Sequence, residues 1–150
     1  MNNNAFQELI DRIKPNTFVT LTAKQGVVLK SGVYIPPTYN AFEKAAGVLW
    51  KGIMVQLYGK RAYRRKKNRL LPNVTVFEQS DGGMWHLHAC VRRPPHVTLA
   101  EFNEIVKRAW YKSAWSKRIV QVEEYRDNGV PYILKTGQDA ILVSFLCLDD

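Results

Sequence analysis

Acidic residues are scarce in this chain: 13 Asp and Glu stand against 22 Lys and Arg, giving a net charge of +9. That imbalance predicts a polyanionic partner, with nucleic acid ahead of membrane because no amphipathic anchor stands out. A basic surface that serves solubility alone is the alternative. Cysteine is nearly absent. Cys90 and Cys147 have no paired-ligand spacing, which argues against a zinc-structured module, and both lie in apolar runs as reduced, buried thiols of an intracellular protein do. No apolar run nears transmembrane length and no signal-peptide pattern is present, so neither a membrane protein nor a secreted one is expected. Internal repeats and low-complexity linkers are missing too. The 150 residues therefore read as a single domain, 1–150, long enough to bury a core.

Hydrophobic periodicity orders the chain. Phe6, Leu9, Ile10 and Ile13 predict a short helix over 4–13, stopped by Pro15. A threonine-rich strand follows over Thr17–Lys24, then a small hairpin over Gly26–Ile35 turning at Ser31-Gly32. Phe42, Ala45, Ala46, Leu49, Ile53 and Leu57 form the buried stripe of a long helix from Tyr39 to Arg65. Two strands, 73–79 and 84–92, flank the turn signal Ser80-Asp-Gly-Gly83. Thr98 and Glu101 form a capping box, with Val97 and Phe102 placed as a hydrophobic staple, for a helix whose core face is Phe102, Ile105, Val106, Ala109 and Trp110. Trp50, Met54 and Trp115 read as packing. A strand over Lys117–Tyr125, a short helix near Pro131 ended by Gly137, and a central strand over Ala140–Leu148 complete an α+β fold with a five-stranded antiparallel sheet flanked by helices.

Histidine is rare as well, yet two of the three stand one residue apart in Met84–Arg92. His86 and His88 occupy i and i+2 of a strand, so their imidazoles share a face. If Asp81-Gly82-Gly83 is a three-residue loop, Ser80 faces Met84 and Glu78 falls opposite His86. Two imidazoles and a carboxylate suit a divalent metal with positions left open for substrate. His96, behind Pro94-Pro95, reads as a loop residue. A second concentration of chemistry is the run Lys60, Arg61, Arg64, Arg65, Lys66, Lys67 and Arg69, seven cations in ten residues, expected to contact a phosphate backbone. Tyr63 within it is a candidate for stacking on a base. Later, Tyr132 and Lys135 share a helix face at i and i+3.

Taken together, these groups fit transesterification of a DNA phosphodiester. The Tyr132 phenolate would attack phosphorus, and Lys135 would stabilise developing charge. A metal on Glu78, His86 and His88 would orient the phosphate.

The set resembles the HUH endonuclease superfamily, and within it the rolling-circle replication initiator (Rep) proteins of viruses and plasmids. Thr17-Phe-Val-Thr-Leu-Thr22 is similar to the first motif of that family, His86-Leu87-His88 to its metal motif, and Tyr132-Ile-Leu-Lys135 to its YxxK nucleophile motif. Glu78 stands where related viral initiators carry a third ligand. The tyrosine follows the histidines, as in Rep proteins, and Tyr125 has the wrong spacing for the paired-tyrosine subgroup. The resemblance implies an RRM-like sheet, Mg²⁺ or Mn²⁺ dependence, and nicking of single-stranded or hairpin origin DNA. It implies an intracellular site of action, cytoplasmic or, in a eukaryotic host, nuclear. The sequence has no GxxxxGK[ST] phosphate loop, so strand separation would fall to a host helicase and the host replication machinery. Two other readings stay open: a single-tyrosine transposase or mobilisation nuclease on the same fold, and a non-catalytic nucleic-acid-binding module.

Overall fold

The computed structural model describes residues 3–65, 70–80, 82–126 and 141–148. Its elements are α1 (Asn3–Ile13), β1 (Thr17–Ala23), β2 (Val27–Val28), β3 (Tyr34–Ile35), α2 (Tyr39–Arg65), β4 (Asn73–Gln79), β5 (Trp85–Val91), α3 (Leu99–Tyr111) and β6 (Ser116–Glu124). The architecture is α+β. Four strands form an antiparallel sheet in the order β4-β5-β1-β6, and β2 and β3 pair separately.

Strand alternation divides the side chains between two cores. Val19, Leu21 and Ala23 of β1 and Leu87, Ala89 and Val91 of β5 face α2 and α3 in the larger core. Phe42 sits at its centre, its ring 5.1 Å from Phe77, 5.2 Å from Trp85 and 5.3 Å from Trp115. Trp50, Met54 and Trp115 are buried there, as packing requires. The capping box at Thr98 and Glu101 forms, and Val97 and Phe102 are both buried in the same core. On the opposite face a smaller core joins Phe6, Ile10 and Ile13 of α1 to Val74, Val76, Cys90 and Ile141.

The long helix differs from its expectation at one point. Gly59 takes φ 85 and ψ 158, so the Tyr39–Arg65 element is two helical pieces meeting at a kink. Only glycine adopts that backbone region freely, and the hydrophobic stripe could not reveal the break because it ends at Leu57.

The apolar run at the C-terminal side also differs. Over 141–148 it is no central strand but an outer flank of β4, bridged at Val76↔Ile141 and Asn73↔Cys147 with a 3-10 turn, Val143–Phe145, between them. Its side chains are apolar on both sides because they close both cores across the sheet edge. Leu142 is buried in the larger core, while Ile141, Leu146 and Leu148 join the smaller one. A buried network fixes this flank: Trp50 Nε1 donates to Thr75 Oγ1, Thr75 to Asn73 Oδ1, and Asn73 Nδ2 to the Phe145 carbonyl at 2.8 Å. Cys147 is half-buried rather than buried. The helix expected near Pro131–Gly137 lies outside the described residues.

Candidate metal and nucleic-acid site

The β4–β5 hairpin brings the expected residues to one face. Ser80 N–H donates to the Met84 carbonyl at 2.8 Å and Gly83 N–H to that of Ser80 at 2.9 Å. Gly83 takes φ 84 to close the turn. The resulting register pairs Glu78 with His86 and Val76 with His88. Both histidines and Glu78 therefore project from the face opposite α2 and α3.

The closest contact within the group is diagonal. His88 Nε2 lies 2.7 Å from Glu78 Oε1, with the two side chains 1% and 5% exposed. Nδ1 of the same ring lies 3.1 Å from Thr20 Oγ1, on the neighbouring strand. A neutral His88 satisfies both contacts when Nε2–H donates to the carboxylate and the threonine hydroxyl donates to Nδ1. An imidazolium satisfies them by donating from both nitrogens. The ring is flanked on either side, by Phe18 at 5.5 Å and 11° and by His86 at 5.8 Å and 21°. Thr20 and Phe18 were hidden inside a strand motif. Alternation placed them on the histidine face, but only the pairing of β1 with β5 brings Thr20 opposite His88.

The donor set suits a divalent cation. Adjacent ligand atoms around an octahedral ion with bonds of about 2.1 Å stand about 3 Å apart, close to the separation of Glu78 Oε1 and His88 Nε2. A cation there would replace the proton shared by the pair. Half-buried His86 would be the third ligand, yet among the described residues no three His, Cys, Asp or Glu side chains converge on one point. The structure thus brings Glu78 and His88 together and leaves His86 one ring-stacking distance away. Side-chain rotation of His86 is what a three-ligand site needs.

The cationic run lies elsewhere. α2 starts against Phe77 and Trp85 at the hairpin end, and its Trp50 reaches Thr75. It therefore runs antiparallel to β4 along the helix-covered face. Lys60, Arg61, Arg64 and Arg65 are exposed after the Gly59 kink, on a segment that packs on the helix-covered side of the sheet and not on the face of Glu78 and His86. Tyr63 is half-buried and packs on the larger core instead of standing free for a base. Lys66, Lys67 and Arg69 lie outside the described residues, as do Tyr132 and Lys135. Flanking that later segment, Tyr125 N–H donates to the Asn16 carbonyl, and Ile141 is bridged to Val76, the partner of His88.

Arg92 and Arg93 serve the fold. Arg92 Nε donates to the Ile13 carbonyl at 2.8 Å, and Arg93 reaches Thr17 Oγ1, the Val97 carbonyl and Glu124. Burial pushes the Cys90 thiol up to about 12, so it is an inert part of the smaller core. No helix among the described residues is long and apolar enough to cross a membrane. Comparison with protein-family models, curated proteins and solved structures finds no match.

Proposed function

We propose that this chain is a metal-dependent DNA nicking and joining enzyme of the HUH type, a rolling-circle replication initiator. The observation that carries the reading is the Glu78–His88 pair, buried at 2.7 Å and stacked beside His86 on one sheet face. A carboxylate and two imidazoles gathered on a strand hairpin in a chain of net charge +9 suit phosphodiester chemistry. In this reading Glu78, His86 and His88 hold Mn²⁺ or Mg²⁺, which supplies charge stabilisation to the phosphate.

The Tyr132 phenolate attacks the scissile phosphorus. The new bond is a 5′-phosphotyrosine, the bond broken is that to the 3′ oxygen, and this oxygen leaves as a 3′-hydroxyl after taking up a proton. Lys135 stabilises charge at the same phosphate. The roles of Tyr132 and Lys135 rest on the sequence alone. The α+β architecture with its four-stranded antiparallel sheet supports this reading only coarsely, since the expected fifth strand is not formed among the described residues. The cationic segment from Lys60 to Arg69 would hold duplex or hairpin DNA outside the nicking centre. A host helicase would open it.

The hydrogen bonds already made by His88 favour a second reading, a nucleic-acid-binding module in which the pair is structural. One experiment separates the two. Single-stranded oligonucleotides from the chain's own replicon are incubated with the protein in Mn²⁺ or EDTA and resolved on a denaturing gel. The enzyme forms a Mn²⁺-dependent covalent adduct that Tyr132→Phe abolishes. Binding without an adduct, indifferent to metal and to Tyr132, would establish the module.

A further inference from the structure

The edge strand β6 carries a backbone irregularity beside the histidine face. Its pairing with β1 runs in register from Thr17↔Glu124 to Leu21↔Val120, then jumps to Ala23↔Ser116. Lys117, Arg118 and Ile119 therefore stand opposite Thr22 alone, a bulge of the kind that re-aims side chains. Arg118 takes φ 60, a left-handed conformation unfavourable for a residue with a side chain. Three contacts hold it there. Arg118 N–H donates to Ser116 Oγ at 2.9 Å, the Tyr111 hydroxyl donates to the Arg118 carbonyl at 3.2 Å, and the guanidinium lies 5.4 Å over the Tyr111 ring.

Val120 pairs with Leu21, which faces the helices, so the adjoining Ile119 turns toward the face of Thr22 and His86. Lys117 Nζ lies 3.7 Å from Sδ of Met84, two residues before His86 on the same face. That thioether is a weak acceptor, and among the described residues Lys117 is in no ion pair. Among the described residues the carboxylates nearest in register are committed or distant: Glu78 is bonded to His88, and Glu123 pairs with Phe18 toward the other end of β6. Ile119 is 52% exposed beside the lysine.

We propose that the β6 bulge is a seat for single-stranded DNA at the rim of the histidine row. In it Lys117 is a positioning residue for a backbone phosphate, and Ile119 is an apolar rest for the adjoining base. The proposal deepens the nicking reading and rests on it. Charge complementarity selects the occupant, since an exposed ammonium whose partner among the described residues is a thioether matches a phosphodiester, and an apolar neighbour matches an unpaired base.

A lysine on a bulged edge strand also guards against strand pairing, and the test separates the two roles. The full chain, Lys117→Ala and Lys117→Arg are compared for adduct formation in Mn²⁺ and for the salt dependence of binding a fluorescent oligonucleotide. Lys117→Ala is expected to slow the adduct about 10- to 100-fold, to reduce the log–log salt slope by about 0.7, and to keep the native circular dichroism. Lys117→Arg restores most of both. A wild-type rate and slope in Lys117→Ala, or a change confined to aggregation, overturns the proposal. If the wild-type chain forms no adduct, the nicking reading fails by itself. The slope then decides whether Lys117 touches phosphate.

Discussion

The two faces of β5 are one residue apart in sequence and opposite in character. Leu87, Ala89 and Val91 enter the larger core beneath α2 and α3. His86, His88 and Cys90 face the other way. There His88 is as buried as Leu87, at 1% each, but spends that burial on hydrogen bonds to Glu78 and Thr20. Burial alone therefore does not distinguish structure from function in this sheet. What separates Leu87 from His88 is whether the buried side chain needs a specific partner. An apolar residue is satisfied by any well-packed neighbour, whereas a buried imidazole is stable only where donors and acceptors match.

The largest effect expected from breaking the comparison lies on the apolar face. Phe42→Ala should cost about 3–5 kcal/mol in urea unfolding, because the ring is fully buried among three other aromatics. His88→Ala should cost about 3 kcal/mol, since it strands a buried carboxylate. In that variant Glu78→Leu as a second change should recover part of the loss, an outcome no purely apolar site would give. His86→Ala is the sharpening case. This half-buried ring should change stability by less than about 1 kcal/mol, yet it should abolish the Mn²⁺-dependent adduct on the denaturing gel. Equal losses of stability for His86→Ala and His88→Ala would erase the distinction drawn here.

Smaller effects follow. Thr20→Val removes one hydrogen bond to His88 and should cost about 1 kcal/mol, with Thr20→Ser restoring it. Cys90 offers a pH test. Its thiol is raised from an ordinary value of 9.0 to about 12, so the neutral form is the one the fold stabilises. That contribution is complete below about pH 9 and is lost as pH rises toward about 12. Cys90→Ala should remove this part of the alkaline decline in unfolding free energy.

Period-2 and period-3.6 patterns made most of this fold legible. The hairpin register was fixed by the turn chemistry of Ser80 to Gly83, which is local, and so Glu78 fell opposite His86 as the sequence requires. The diagonal contact of Glu78 with His88 was not legible, because it depends on rotamers chosen by neighbours such as Phe18. The distance between the cationic run and the histidine row was equally hidden. It follows from which face of the sheet α2 covers, and no local signal encodes that choice. The 141–148 run misled by composition: residues apolar on both sides suit a central strand, and they suit equally a flank that closes two cores at a sheet edge.

That flank has a consequence for how the chain is made. Residues 141–148 emerge from the ribosome after all four strands, so β4 waits with an open edge while they are synthesised. During that interval Val74 and Val76 lack the part of their cover that Ile141 supplies, and α1 has only part of the surface it docks on. A nascent chain halted before Ile141 is then a template for pairing with another copy. Ile141 and Cys147, the bridging residues, are thus the last of the described contacts to be synthesised at this edge, and slow translation through this region is expected to prolong the exposure of β4.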